Sequence, residues 1–352
     1  MWIWSDRAMS VRVGINGFGR IGRNFLRCAR EQGGALEVVA VNDLADAETN
    51  AHLLRYDTTY GRFGAEVGVE GNHIVVAGEP IEVLAEREPK ALPWGDLGVD
   101  VVLESTGRFR TRDAAAAHLE SGAKRVIISA PGTGVDATFV IGVNEQTFDP
   151  GRHFVVSNAS CTTNCFVPMV QVLDEAFGVT SGLMTTVHAY TNDQNLLDLT
   201  HKDLRRARAA AQNIVPASSG AARATGLVLE AMQGRLDGAA LRVPVADGSI
   251  TDFTAVVGRT VGVEEVNRAF REAAHSGPLS KVLVYTEDPI VSSDVVGSPA
   301  SCTFDSGLTM VMRIDDDSTL VKVHGWYDNE WGYTSRLVDL TLLVGVSDSS
   351  RS

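Results

Sequence analysis

Ser160-Cys161-Thr162-Thr163-Asn164-Cys165 follows an apolar strand-like run and puts a cysteine where a helix should begin. The free N–H groups and partial positive charge of a helix start favour an anion. A cysteine there is expected to ionise more readily than the free side chain, whose pKa is about 8.5, and so to act as a nucleophile. A buried thiol in an ordinary strand-to-helix turn is the alternative, and the hydroxyl and amide neighbours argue against it. His188 lies in Thr185-Thr186-Val187-His188-Ala189-Tyr190-Thr191, on a strand-like run. A histidine near a thiol can take its proton, stabilise the thiolate as imidazolium and exchange protons with a substrate hydroxyl. One histidine of eight is by itself more ordinary as a packed or solvated side chain. Its role depends on meeting Cys161 in space, which spacing does not show.

A second constellation is Gly17-Phe18-Gly19-Arg20-Ile21-Gly22, a G-x-G-x-x-G between a predicted strand and a predicted helix. Gly17, Gly19 and Gly22 would let backbone amides approach a pyrophosphate at the helix N-terminus. Asp43 ends the next strand, about 20 residues on, where a carboxylate accepts from an adenosine ribose and repels a ribose phosphate. NAD is therefore expected over NADP. A tight turn and a solvated strand end are the bland readings of the two features taken separately.

These groups need elements to hold them. Val11 to Asn16, Leu36 to Asn42, Val99 to Glu104, Arg125 to Ser129 and His153 to Ser157 read as strands. Arg20 to Gln32, stopped by Gly33-Gly34, and Arg112 to Ser121, stopped by Gly122, read as helices. Strands alternating with helices predict a Rossmann-type, doubly wound α/β domain with a parallel sheet. After Cys161 the pattern becomes a helix to about Phe177 and longer strands at Ser181 to Thr191, Ala239 to Val245 and Ile250 to Gly258. This predicts an α+β catalytic domain with a mixed or antiparallel sheet. A final helix, Tyr333 to Val344, is expected to return to the first domain. The expected division is 9–160 plus 327–352 for the Rossmann domain and 161–326 for the catalytic domain, with 1–8 an appended tail and Met9 a candidate start.

With 352 residues and 44% hydrophobic content, the chain can fill two cores. Its net charge of −13 argues against a general nucleic-acid or anionic-membrane binder. Cys28, Cys161, Cys165 and Cys302 form no CxxC pair or disulfide framework, so a reducing, cytoplasmic setting and no metal site are expected. No run reaches the roughly 20 apolar residues of a membrane span.

Four stretches carry a resemblance that covers about Val11 to Leu340. They are Ile15 to Gly22, the S-C-T-T-N-C of Ser160 to Cys165, Thr186 to Gln194, and the W-Y-D-N-E-W-G-Y of Trp326 to Tyr333. Together they resemble phosphorylating glyceraldehyde-3-phosphate dehydrogenases. The resemblance implies oxidation of glyceraldehyde 3-phosphate with NAD and inorganic phosphate, in glycolysis and gluconeogenesis, by a homotetramer. It puts the nucleophile on Cys161 and its base on His188. Thr191 and Arg242 would hold the substrate phosphate, and Ser160, Thr162, Ser219 and Gly220 the attacking phosphate. Arg20, Ile21, Asp43, Arg87, Thr106, Ser129 and Asn329 would hold the cofactor. Arg242, in the otherwise apolar Leu241-Arg242-Val243-Pro244, independently suggests a purposeful charge, with an edge-strand salt bridge as the alternative.

Some details depart from the family pattern. Thr200 stands where strict NAD users commonly have proline, which leaves NADP use open, and Ser219 replaces a usual threonine. Erythrose-4-phosphate dehydrogenase and a non-catalytic NAD-fold binding protein are the competing readings. Cys165 sits one helical turn after Cys161, where packing is the ordinary role and peroxide-dependent pairing an alternative.

Overall fold

The computed structural model describes residues 10–33 and 35–349, with side chains described to residue 346. The expected tail at 1–8, Met9 and Gly34 lie outside these residues. The chain divides into two compact units. The first takes in the described parts of 1–139, 144–159 and 334–352, the second 140–143 and 160–333.

In the first unit, β1 (Val11–Asn16), α1 (Arg20–Gln32) and β2 (Leu36–Asn42) fall where glycines and alternating apolar residues predict them. α2 (Ala47–Arg55) starts on Asp46, whose carboxylate accepts from Thr49 N–H at 2.8 Å. Next come a short hairpin, β3 (Tyr56–Asp57) and β4 (Gly61–Arg62), and a meander of β5 (Val67–Glu70), β6 (His73–Val76) and β7 (Glu79–Leu84). β8 (Val101–Glu104), β9 (Arg125–Ile128), β10 (Ala137–Thr138) and β11 (Val155–Ser157) complete the sheet. Its order is β10-β11-β9-β8-β1-β2-β7-β6-β5, parallel from β10 to β7 with an antiparallel edge.

The single helix expected over Arg112 to Ser121 is instead two turns, α3 (Arg112–Ala115) and α4 (Ala117–Glu120). Arg112 ties the first to Asp136 and to Thr133 O, while His118 draws the second inward to Trp94 and Glu104.

The second unit opens with α5 (Cys161–Phe177) and β12 (Val179–Ala189), followed by β13 (Val215–Ser218), α6 (Ala221–Ala224), β14 (Leu236–Val243) and β15 (Ser249–Val257). α7 (Val263–His275), β16 (Leu283–Thr286), β17 (Cys302–Asp305), β18 (Met310–Arg313) and β19 (Thr319–Tyr327) follow. The sheet order is β13-β14-β12-β15-β19-β17-β16, with β18 paired to β19 across the exposed Asp315-Asp316-Asp317 turn. It is mixed: β12 runs parallel to β14 and antiparallel to β15. Strict alternation of buried and half-buried residues along β15 and β19 gives the sheet one apolar face. α5 covers that face, with Phe166 edge-on to Phe253 at 4.8 Å.

Pairing of β19 with β15 through Tyr327 keeps 327–333 in the second unit, and Ser160 groups with the helix it caps. The final helix, α8 (Trp331–Ser349), returns the chain to the first unit at Thr334. No helix among the described residues is long and apolar enough to cross a membrane.

Candidate active site

The turn before α5 is tightly specified. Ala159 takes φ +54°, a left-handed conformation costly for a residue with a Cβ and one that clusters at functional sites. Ser160 caps α5, its hydroxyl accepting from Thr163 N–H at 3.0 Å, so Cys161 is the first helical residue.

His188 comes from β12, where strand register sets it beside Arg242 of β14. The two side chains that spacing could not bring together meet here: Cys161 Sγ lies 3.4 Å from His188 Nε2. On the far side of the ring, Nδ1 lies 2.7 Å from Ala189 O; a ring that donates to that carbonyl presents its Nε2 lone pair to the thiol. Arg242 Nη1 is 2.6 Å from Nδ1 and donates to Ala189 O at 3.0 Å. Arg242 therefore backs the histidine as well as carrying charge. Its Nε is buried with no partner among the described residues, which leaves a donor for an anion.

Electrostatics correct one expectation. The helix start alone does not make Cys161 a ready thiolate: burial pushes the thiol above its ordinary value, against the opposing pull of Arg242 and Thr162. His188 is pulled down to about 3, first by burial and then by Arg242. Both shifts favour the uncharged forms, thiol and neutral imidazole. This neutral ring can accept the thiol proton as the sulfur attacks.

Tyr327, which the sequence reading passed over, binds the site from behind. Its hydroxyl lies 2.9 Å from Thr162 Oγ1 and 2.8 Å from Thr186 Oγ1, and its ring stands edge-on to His188 at 5.9 Å. Burial pushes its phenol up, so it serves as a neutral bridge. Tyr327→Phe strands the Thr162 hydroxyl and leaves Thr186 only its 3.3 Å bond to Ile250 O, and should lower unfolding free energy by about 1–2 kcal/mol in urea titration. An unchanged midpoint would show that the bridge contributes nothing.

In the first unit, the expected dinucleotide residues gather along one sheet edge. Gly17, Asp43, Arg87, Thr106 and Ser129 follow the carboxyl ends of β1, β2, β7, β8 and β9, adjacent strands of the parallel region. That is the ligand edge of a doubly wound sheet. Gly17 has φ +96°, and a Cβ on it would sit 2.7 Å from Thr106 N. A Cβ on Gly22 would meet Gly17 O at 2.3 Å, so the helix packs on the turn only with glycine there. Gly19 caps α1 with no side chain closing the helix end and open space where its Cβ would be.

Both halves match one family. Residues 11–112 match its description "Glyceraldehyde 3-phosphate dehydrogenase, NAD binding domain", and residues 160–329 match "Glyceraldehyde 3-phosphate dehydrogenase, C-terminal domain". The chain belongs to the glyceraldehyde-3-phosphate dehydrogenase family. A relative of that name from Streptomyces coelicolor is 60% identical over 337 residues, covering 96% of this chain and 99% of the relative. Another, from Mycobacterium bovis, is 58% identical over 345 residues, covering 96% of this chain and 100% of the relative.

The residues present fit the family's NAD. The open, uncapped start of α1 offers N–H groups to a pyrophosphate, including those of Arg20 and Ile21. Arg20's own guanidinium is paired with Asp57. Asp43 accepts from Phe18 N–H and Ala45 N–H, each at 3.0 Å, which sets its carboxylate against the glycine turn. Asn329 belongs to the second unit, where Ser249 Oγ donates to its Oδ1 at 2.7 Å and leaves the amide NH₂ available.

The expected anion residues fall in three places. Ser160 and Thr162 flank Cys161. Ser219 and Gly220 precede α6, which packs on α5 and β14. Thr191 follows β12 and donates to Asp193. Burial alone would raise the Asp193 carboxyl, but Thr191, Arg242 and Arg206 hold it below the ordinary carboxylate range. In the basic run at 202–208, Arg206 pairs with Asp193 and Arg208 with Asp198. Cys165 is fully buried, its thiol directed at Gly325 O at 3.6 Å.

Proposed function

We propose that the chain is a phosphorylating glyceraldehyde-3-phosphate dehydrogenase, converting D-glyceraldehyde 3-phosphate, NAD and inorganic phosphate to 1,3-bisphosphoglycerate. The observation that carries this reading is the 3.4 Å approach of Cys161 Sγ to His188 Nε2 at the start of α5. Cys161 attacks the aldehyde carbon as His188 Nε2 receives the thiol proton and passes it to the aldehyde oxygen, forming a thiohemiacetal. NAD held by the first unit would supply the hydride acceptor for oxidation of this adduct to a thioester. His188 takes the hydroxyl proton in that oxidation, and the start of α5 directs N–H groups at the developing oxyanion. Inorganic phosphate attacks the thioester carbonyl, and Cys161 leaves as a thiolate that recovers its proton from His188. Covalent capture keeps the oxidation energy that hydrolysis would dissipate.

Arg242 and Thr191 are the ligands of the substrate phosphate, and Ser160, Thr162, Ser219 and Gly220 those of the attacking one. Arg242's unpaired buried Nε supports the first assignment. Gly17, Gly19, Arg20, Ile21, Gly22, Asp43, Arg87, Thr106, Ser129 and Asn329 hold NAD. The first unit thus carries the cofactor and the second the chemistry. The enzyme works in the cytoplasm as a homotetramer. Leu183, Leu196, Leu197, Leu199, Leu204 and Ile214 are all exposed on the second unit, apolar side chains that subunit contacts would cover, and this supports the assembly.

The test is reduced-cofactor absorbance with glyceraldehyde 3-phosphate, with and without phosphate, and with NADP in place of NAD. Sustained NAD turnover that requires phosphate is the expected result. Preference for erythrose 4-phosphate, or no reduction with either aldehyde, would overturn it.

A further inference from the structure

Five residues that contact no proposed ligand form a continuous buried chain beneath the cofactor edge of the first unit. Strand register sets Asn42, Asn16 and Glu104 side by side at the ends of β2, β1 and β8. Asn16 Nδ2 donates to Glu104 Oε2 at 2.6 Å, and Asn42 Nδ2 donates to Asn16 Oδ1 at 2.7 Å. Asn42 also exchanges two 2.8 Å bonds with the backbone of Glu86. At the other end, Trp94 Nε1 lies 3.0 Å from His118 Nδ1, and His118 Nε2 lies 3.1 Å from Glu104 Oε2.

Donor chemistry fixes the direction of every bond. An indole N–H only donates, so His118 Nδ1 accepts and the ring proton sits on Nε2, pointed at Glu104. The other carboxylate oxygen, Oε1, takes Thr106 N–H at 2.8 Å and Thr106 Oγ1 at 2.5 Å. Thr106 Oγ1 in turn accepts from Arg108 N–H at 3.1 Å. Glu104, 2% exposed, thus has four donors and no Lys or Arg partner among the described residues. Such an arrangement is stable only for a carboxylate whose acceptor sites are filled.

Three members and the Glu86 backbone that Asn42 holds each stand one or two residues before a cofactor residue: Asn16 before Gly17, Asn42 before Asp43, Glu86 before Arg87, Glu104 before Thr106. We propose that Glu104 is a positioning residue for the dinucleotide, a hub for four donors that locks the four loops of the cofactor edge in one register, with Trp94 and His118 holding it in place. This rests on the reading of that edge as the NAD site.

Calorimetry of NAD binding to the full chain tests it, beside hydrogen exchange of the Thr106 amide. Glu104→Gln turns one acceptor into a donor facing the Asn16 and His118 donors. It should raise the Kd for NAD by about 10–100-fold and speed Thr106 exchange. Iodoacetamide labelling of Cys161 should stay unchanged. Trp94→Phe, which keeps the carboxylate and frees His118 Nδ1, covers the case in which Glu104→Gln fails to fold. It should raise Kd several-fold and speed the same exchange. A lowered melting temperature with unchanged Kd and unchanged Thr106 exchange in either variant would overturn the proposal. Failure of the unaltered chain to bind NAD would instead overturn the cofactor reading itself.

Discussion

Cys161→Ser is expected to cut kcat/KM for glyceraldehyde 3-phosphate by about 10⁴-fold or more while leaving NAD affinity, read by calorimetry, unchanged. The serine hydroxyl fits the same first turn of α5 and keeps the Ser160 cap and the Arg242 charge. What it lacks is an acid weak enough to be held as thiol yet strong enough to pass its proton to a neutral imidazole. An oxygen ester would also be a far poorer acyl donor to phosphate than a thioester. Retention of more than about 1% of the activity would show that the reaction does not pass through the sulfur.

His188→Asn is expected to lower turnover by about 10²–10⁴-fold. It should also slow iodoacetamide labelling of Cys161 at pH 7 by about 10–100-fold, because burial holds the unassisted thiol above its ordinary value. Labelling that stayed as fast as in the unaltered chain would mean the helix start and Arg242 alone activate the sulfur.

The same variant carries a stability signature. His188 falls from its unfolded value near 6.5 to about 3 in the fold. Above pH about 6.5 both states are neutral at this ring and its titration adds no slope. As pH falls from there toward 3, the unfolded chain takes up a proton that the fold refuses, and stability declines. At about 1.4 kcal/mol per pH unit, the loss reaches several kcal/mol. Denaturant titrations between pH 7 and 4 should therefore show a shallower decline for His188→Asn, and parallel curves would contradict the buried, neutral assignment.

Local signals carried the elements that later hold the site. β1, α1, β2 and the whole of α5 were legible because glycines, a serine cap and apolar periodicity all act within a few residues. The G-x-G-x-x-G with Asp43 was legible for the same reason. What the sequence could not supply was distance between elements. Arg242 reaches His188 only through the β12–β14 register, and His188 reaches Cys161 only through the packing of α5 on β12, neither of which a motif encodes. Tyr327 sits within a motif that was noticed, yet its bridge to Thr162 spans 165 positions. The titration of Cys161 was misjudged because burial is a property of the packed fold and here outweighs the helix start. The β5–β7 meander escaped because its strands are only four to six residues long and end in ordinary turns.

The last helix sets an order of events at the ribosome. Leu337, Val338, Leu340 and Val344 are buried on α8, Cys28 Sγ lies 3.3 Å from Ser335 Oγ, and a Cβ on Gly345 would collide with Val11, the first residue of β1. Four such side chains are worth about 1.5–3 kcal/mol each, a sum comparable to the whole stability of a typical domain. The first unit is thus completed by residues made after the whole of 160–333. Until α8 emerges, that unit lacks these buried side chains, and the second unit has every opportunity to fold before it.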